Sequence, residues 1–255
     1  MSSLLHFLRS TVFTKIVMAI SGLLIIGFLV GHLLGNLLMF AGPEKINGYA
    51  LGLKNLGPLL WLVRIAMITA FGLHVWSSIE LASRNRSARP IAYDTKKSLK
   101  STLASRTMLV SGMAILFFVI YHLLHYTFGI IQPNTYYAGG YRMESTGEIV
   151  HHVYNMVVAG FQNPFIALSY MIALAFMSSH VSHATSSAFQ TLGVTNPNIS
   201  KITSKIGPAL AAIFLIGYLS IPIGVMIGVI KKAPPQEHMQ GMSKECPDGP
   251  NCTCD

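Results

Sequence analysis

FTKIVMAISGLLIIGFLVGHLLGNLLMF, running from Phe13 to Phe40, is the stretch on which the fold turns. Lys15 is its only fixed charge, and His32 lies in its last third; nearly everything else is apolar or small. A helix rises ~1.5 Å per residue and a bilayer core needs about 20 of them, so this stretch is long enough to cross a membrane. It is too long for a signal peptide and lacks a small-residue cleavage site, so it is expected to stay in the mature chain.

Four further runs have the same character: Leu59 to Ser83, Met108 to Ile131, Pro164 to Ser187 and Gly207 to Ile230. The whole chain of 255 residues is 52% hydrophobic and 11% charged, with a mean hydropathy of +0.53, outside the usage of ordinary soluble domains. The segments between the runs carry turn residues, as in Ala41-Gly42-Pro43 and Asn196-Pro197-Asn198, and read as turns and loops. The expected fold is all-α, an integral membrane bundle of five transmembrane helices formed by residues 1–232. A tail over 233–255, with Cys246, Cys252 and Cys254, is expected to be disordered. No soluble domain, internal repeat or low-complexity segment is recognisable.

Lysine and arginine set the expected orientation. Arg84, Arg86, Arg89, Lys96, Lys97, Lys100 and Arg106 crowd the connection between the second and third runs, and Lys201 and Lys205 that between the fourth and fifth. These connections and the N-terminus with Arg9 should face the cytoplasm, and the C-terminus the outside. The net charge of +9 is mostly this inner collar, explained by topology and anionic lipid rather than by nucleic acid.

Among the histidines within the apolar runs are His32, His74, His122 and His183, one from each of the first four. An unsatisfied imidazole in hydrocarbon costs several kcal/mol, so each must be paired, hydrated or bound. At ~1.5 Å per residue, His32 lies about 24 Å above Ile16 and His122 about 21 Å above Met108, both in the outer half. His74 lies roughly 21 Å below Leu60 and His183 about 28 Å below Pro164, both in the inner half. The histidines thus sort into an outer and an inner pair on different helices. Two bis-histidine haems are the chemistry that pattern suggests. Zinc suits it poorly, because zinc gathers its ligands into one sphere and often uses cysteine. His125 and His180 lie three residues from His122 and His183 on the same faces, and depth alone does not separate them. Gly27, Gly31 and Gly35 recur beside His32 as a smooth face for a helix or a flat macrocycle, and Gly72 and Gly112 lie near His74 and His122.

Three motifs resemble the cytochrome b membrane subunit of succinate dehydrogenase and fumarate reductase, in its single-chain, five-helix, two-haem form. They are His32-Leu33-Leu34-Gly35-Asn36-Leu37, the run from Asn155-Met156-Val157 through Phe161-Gln162-Asn163-Pro164, and His183 followed by Ser187-Ala188-Phe189-Gln190-Thr191-Leu192-Gly193. The resemblance extends from about Lys15 to Lys231. It implies an anchor, in the cell inner membrane, for a flavoprotein subunit and an iron-sulfur subunit docked on the cytoplasmic face. Through two haem b groups such a subunit passes electrons between the iron-sulfur subunit and a quinone, menaquinone or ubiquinone; succinate and fumarate chemistry belongs to a partner chain. Carried onto matching positions, the resemblance makes His32 and His122 the ligands of the distal haem iron, and His74 and His183 those of the proximal one. His125 and His180 are the alternates, free otherwise to bond a propionate, a quinone oxygen or water.

The chain departs from that family at Val181, where some fumarate reductases carry a glutamate two residues before the ligand, so that proton route is not expected here. Lys15 and Arg106 are candidate propionate partners. Outward quinone candidates are Asn36, His125, Tyr126 and Tyr49; inward ones are Ser21, Arg84, Arg106 and His180. The distal side is preferred. The basic connection is mainly a topology signal and secondarily a docking surface for the iron-sulfur subunit. His151 and His152 read as solvated positions on a surface helix. Two rival classes are the two-haem membrane arm of another quinol-linked enzyme, such as nitrate reductase, and a haem-free scaffold or transporter. Flavin co-purification separates the first from the preferred reading, and colour separates the second.

Overall fold

The computed structural model describes residues 2–88, 102–136, 139–194 and 196–236. Arg89, Lys96, Lys97 and Lys100 of the basic connection and the three cysteines lie outside the described residues. Proline opens five of the helices, where its missing N–H has no intrahelical partner to lose, and uncharged side chains cap the ends. The elements are α1 (Ser2–Leu8), α2 (Thr11–Leu37, tightening into a 3-10 turn over Leu38–Ala41), α3 (Pro43–Lys54), α4 (Pro58–Ser87) and α5 (Leu103–Arg106). Then come α6 (Met108–His122, widening into a π turn over Leu123–Thr127), α7 (Pro133–Tyr136), β1 (Gly140–Arg142), β2 (Ile149–His151), α8 (Val153–Phe161), α9 (Pro164–Thr191) and α10 (Pro197–Met226). Ser10 caps α2 by accepting from Phe13 N at 3.1 Å. Asn163 caps α9 by accepting from Phe165 N at 3.0 Å.

Five helices, α2, α4, α6 with its π turn, α9 and α10, are long and apolar enough to cross a membrane, and they suggest a multi-pass membrane protein. Their outer faces carry Ile68 at 73% exposure, Phe117 at 64%, Phe165 at 81% and Ile216 at 71%. Water would drive so much exposed apolar surface together, whereas lipid is its complement.

Four helices stand in the order α4, α2, α9, α6, with seams between successive neighbours, and α10 packs outside on α9 and α2. Helices α2 and α4 run antiparallel, as do α9 and α10: Arg84 Nη1 donates to the Arg9 carbonyl at 2.9 Å, and Ser178 Oγ to the Ala211 carbonyl at 3.0 Å. The closest approach is at Gly207, which lies against the Ser182 carbonyl, where a Cβ would collide with backbone. Among the described residues, no substantial seam joins α4 to α6, nor either diagonal, α2 with α6 and α4 with α9. The bundle is therefore closed by α9 and α10 and open between α4 and α6.

Several boundaries differ from the hydropathy reading, most of all at the start of the fifth span. The fifth span starts at Pro197 rather than Gly207, because Asn196 caps it, accepting from Asn198 N at 2.9 Å, and the chain winds helically through the polar turns with Lys201 and Lys205. Hydropathy registers composition and not winding. The fourth span likewise runs on to Thr191, followed by Gly193 at φ +85°.

The segments read as outward loops are structured. Helix α3, the β1–β2 hairpin and α8 form a cap over one end of the bundle. Fully buried Asn47 joins them, its Oδ1 accepting from Tyr154 N at 3.0 Å and its Nδ2 lying 3.4 Å from His152 Nδ1. Glu44 accepts from Glu144 N and Ser145 N at 3.0 and 3.1 Å, tying α3 to the hairpin turn. These backbone N–H groups hold the Glu44 carboxyl below the usual carboxylate range. The stretch after α10 crosses the cap, where Gln236 makes two bonds to the Arg142 backbone and Asn155 makes two to that of Ala233. The surface-helix reading of His151 and His152 is corrected here. His151 ends β2 rather than lying on a helix, and is exposed as expected, whereas His152 is the 7% exposed N-cap of α8, packed against the Tyr141 ring with centroids 5.0 Å apart. Burial, with His151 beside it, lowers the His152 pKa to about 4. Burial and the Glu44 contact push Tyr141 up to about 12.

Candidate functional site

Two histidine pairs face each other across the two diagonals that have no seam. His32 of α2 and His122 at the end of α6 have ring centroids 5.9 Å apart. His74 of α4 and His180 of α9 have centroids 6.3 Å apart. The pairs occupy opposite ends of the bundle, since His74 lies beside Met18 and Ser21 near the start of α2, whereas His32 lies near its finish.

The residue opposite His74 is His180, not His183, the sequence-based choice. His183 is half-buried, does not line the cleft beside His74, and among the described residues its side chain makes no hydrogen bond. Three residues along a helix turn a side chain by about 60°, enough to take His183 off the diagonal. Rise along the axis, the only measure available from sequence, is blind to that rotation.

Each ring of the inner pair is held by Nδ1. His74 Nδ1 lies 3.2 Å from the Met18 carbonyl, which only accepts, so Nδ1 carries the hydrogen and Nε2 keeps its lone pair. His180 Nδ1 lies 3.1 Å from Ser111 Oγ, whose own hydrogen goes to the Met108 carbonyl at 3.1 Å; the hydroxyl oxygen then accepts from His180. Both rings are thus oriented by one nitrogen and leave the other free, the pattern metal-ligating histidines show.

Between α4 and the α6–α9 side lies a cleft enclosing about 850 Å³, its open mouth included, lined by Gly22, Phe71, His74, Gly112, Met177 and His180 among others. Gly22 lets His74 come close: a Cβ there would stand 3.1 Å from His74 Cε1, a contact the ring would have to yield to. The stripe of Gly27 and Gly31 meets nothing within 4 Å, so among the described residues no helix uses it for packing, whereas Gly35 receives the Tyr49 ring.

The outer pair is surrounded by aromatics. Phe28 stacks on His32 at 5.3 Å, and Phe118, Tyr126 and Tyr170 each lie within 6 Å of His122. His125 is 2% exposed and has both nitrogens engaged, Nδ1 with Tyr170 Oη and Nε2 with Gln132 Oε1, each at 2.9 Å. The Tyr126 hydroxyl is buried and has no hydrogen-bond partner among the described residues.

Of the other candidates, Lys15 and Arg106 are exposed. Asn36 Nδ2 donates to the His32 carbonyl at 2.7 Å, and the Ser21 hydroxyl to the Val17 carbonyl at 2.7 Å. Arg84 pairs with Glu80 at 2.6 Å. Sequence reasoning missed Tyr170, Ser111 and the Met18 carbonyl. The first two could have been sought as polar residues opposite each histidine, but a carbonyl has no sequence signal.

The donor set bears on what the pairs could hold. Among the described residues no three His, Cys, Asp or Glu side chains converge on one point, so each pair offers an ion two protein ligands and the remainder must come from elsewhere. A planar macrocycle that brings its own equatorial nitrogens meets that condition. Metal–imidazole bonds of about 2 Å would set facing rings with centroids roughly 6 Å apart, the spacing of both pairs. Fold and site together define a class: a multi-pass helical membrane protein with two cross-bundle histidine pairs. No family model, curated protein or solved structure matches the chain.

Proposed function

We propose that this chain is a membrane cytochrome b of five spans, the anchor and electron conduit of a succinate:quinone oxidoreductase, with one haem b held at each histidine pair. The carrying observation is the pair geometry, two imidazole pairs with ring centroids 5.9 and 6.3 Å apart and inner Nε2 atoms left free by their hydrogen bonds. His32 and His122 hold the outer iron, and His74 with His180 holds the inner one. Haem supplies one-electron transfer in either direction.

The chain's own residues supply orientation, exclusion of water and polarity. Met18 and Ser111 fix the inner rings, and the apolar lining of the cleft keeps water out. On the outward side the unpartnered Tyr126 hydroxyl is a donor for a quinone carbonyl, which supports placing the quinone near the outer pair. The basic residues at the inner helix ends favour a cytoplasmic N-terminus in the cell inner membrane, with flavoprotein and iron-sulfur subunits docked on that face. The particular enzyme rests on the three motifs quoted above; the pair geometry serves equally for the membrane arm of another quinol-linked oxidoreductase.

Haem content of the purified chain is the test, by pyridine haemochrome spectrum against protein mass. Two b-type haems per chain are expected. A folded, colourless protein made with haem available would sink the reading and return the histidines to helix packing. Co-purification of a flavin-containing chain is expected of the succinate enzyme and not of its nitrate-reducing relative.

A further inference from the structure

We infer that Tyr170, His125 and Gln132 are positioning residues for the outer site, a hydrogen-bonded chain that holds His122 in the tautomer whose Nε2 is free to ligate. The inference rests on the haem reading above.

The chain has a direction that follows from donor arithmetic. Gln132 Oε1 only accepts, so His125 Nε2 carries a hydrogen and donates across 2.9 Å. A neutral His125 then has its lone pair on Nδ1, which accepts the single Tyr170 hydroxyl hydrogen across 2.9 Å. With that hydrogen spent, Tyr170 Oη meets His122 Nδ1 at 3.4 Å as an acceptor. His122 therefore donates from Nδ1 and its Nε2 keeps the lone pair. His125, three residues from His122, is thereby excluded as the ligand in this arrangement, since neither of its nitrogens is free.

Sequence position and local geometry support the same assignment. The π turn over Leu123–Thr127 follows His122 directly and presents His125 to Tyr170; such turns recur at functional sites. The Tyr126 ring stacks on His125 with centroids 3.9 Å apart, holding it in place. Gln132 lies beyond the span, ahead of α7, so the chain links a residue within the bundle to the connection leading into the cap. The inner pair has nothing of this reach, its anchors being a carbonyl and a serine on neighbouring helices.

A ligating histidine that donates from its far nitrogen is a more basic ligand and favours the ferric ion. Removing the acceptor should therefore raise that haem's midpoint potential, and strengthening the chain should lower it. The experiment is a redox titration of the purified full chain, following the haem that His32→Ala removes and the one that it spares. Tyr170→Phe is expected to shift the outer haem upward and leave the inner one unmoved. Gln132→Glu, which places an anion against His125 Nε2, is expected to shift the outer haem downward. Opposite signs on one haem are not what a loosened fold would produce. Shifts of the same sign, equal shifts of both haems, or no shift in either variant would overturn the inference. If Tyr170→Phe loses the outer haem altogether, the sign of the Gln132→Glu shift decides. Absence of haem from the unaltered chain would count against the haem reading itself and would be seen before any variant was made.

Discussion

The two ends of the bundle pair histidines in the same way and surround them differently. The inner pair opens onto a cleft lined mainly by aliphatic and small residues, with ring nitrogens tied to a backbone carbonyl and a serine. The outer pair is packed among aromatic rings, and His122 is tied through Tyr170 and His125 to Gln132. One pairing geometry in two environments would give two identical groups different properties, because hydrogen bonds to the ligating rings and local polarity tune what axial identity leaves open.

The largest expected effect is on occupancy. His180→Ala should remove the inner haem and halve haem per chain, whereas His183→Ala should retain both. The reverse, in haem-to-protein ratios, would break the assignment of the inner diagonal. Filling the cleft comes next. Gly22→Leu places a side chain where even a Cβ stands 3.1 Å from His74, so the inner haem should be lost or displaced with the outer one intact. An unchanged inner-haem spectrum would mean that the cleft is not where that group sits.

Weakening an anchor should cost less. Ser111→Ala removes the acceptor for His180 Nδ1 and should lower inner-haem retention about 10–100-fold in affinity, read by haem transfer to an apo-acceptor. Equal loss from both sites would remove the distinction between the two ends.

The smallest effect is confined to the cap. His152, depressed to about 4 from its ordinary value of 6.5, contributes stability that is complete above that ordinary value and is lost as pH falls toward 4. The lowered pKa of Glu44 acts in the same sense, its contribution being present above the ordinary carboxylate value and lost in acid. Relative to amides inside α9, amide exchange at Tyr154 should accelerate between about pH 6.5 and 4, and that at Glu144 and Ser145 only below the ordinary carboxylate value. Uniform acceleration across the bundle would show that the cap is not an independent unit.

Much of this was legible in the chain. The five long apolar runs announce five spans, since hydrocarbon demands length and apolarity and the sequence displays both. His32 and His122 could be placed at one depth by counting residues. The cap was hidden because α3 and α8 are short and held by Asn47, Glu44 and Asn155, polar residues that look like loop composition until their partners are known. The motif resemblance puts His180 second to His183, and residue counting has no means to reverse that order, because the two differ by azimuth, which depends on how α9 is rotated against α6 and α2.

Sequence alone determined the class, the number of spans and the rough depth of each histidine, because these depend on composition and on rise per residue, which are local. Tertiary structure alone decided which histidines meet, which nitrogen of each ring is free, and that the bundle leaves its diagonals open. Those depend on helix rotation and on partners such as the Met18 carbonyl and Tyr170, brought to the site from another helix.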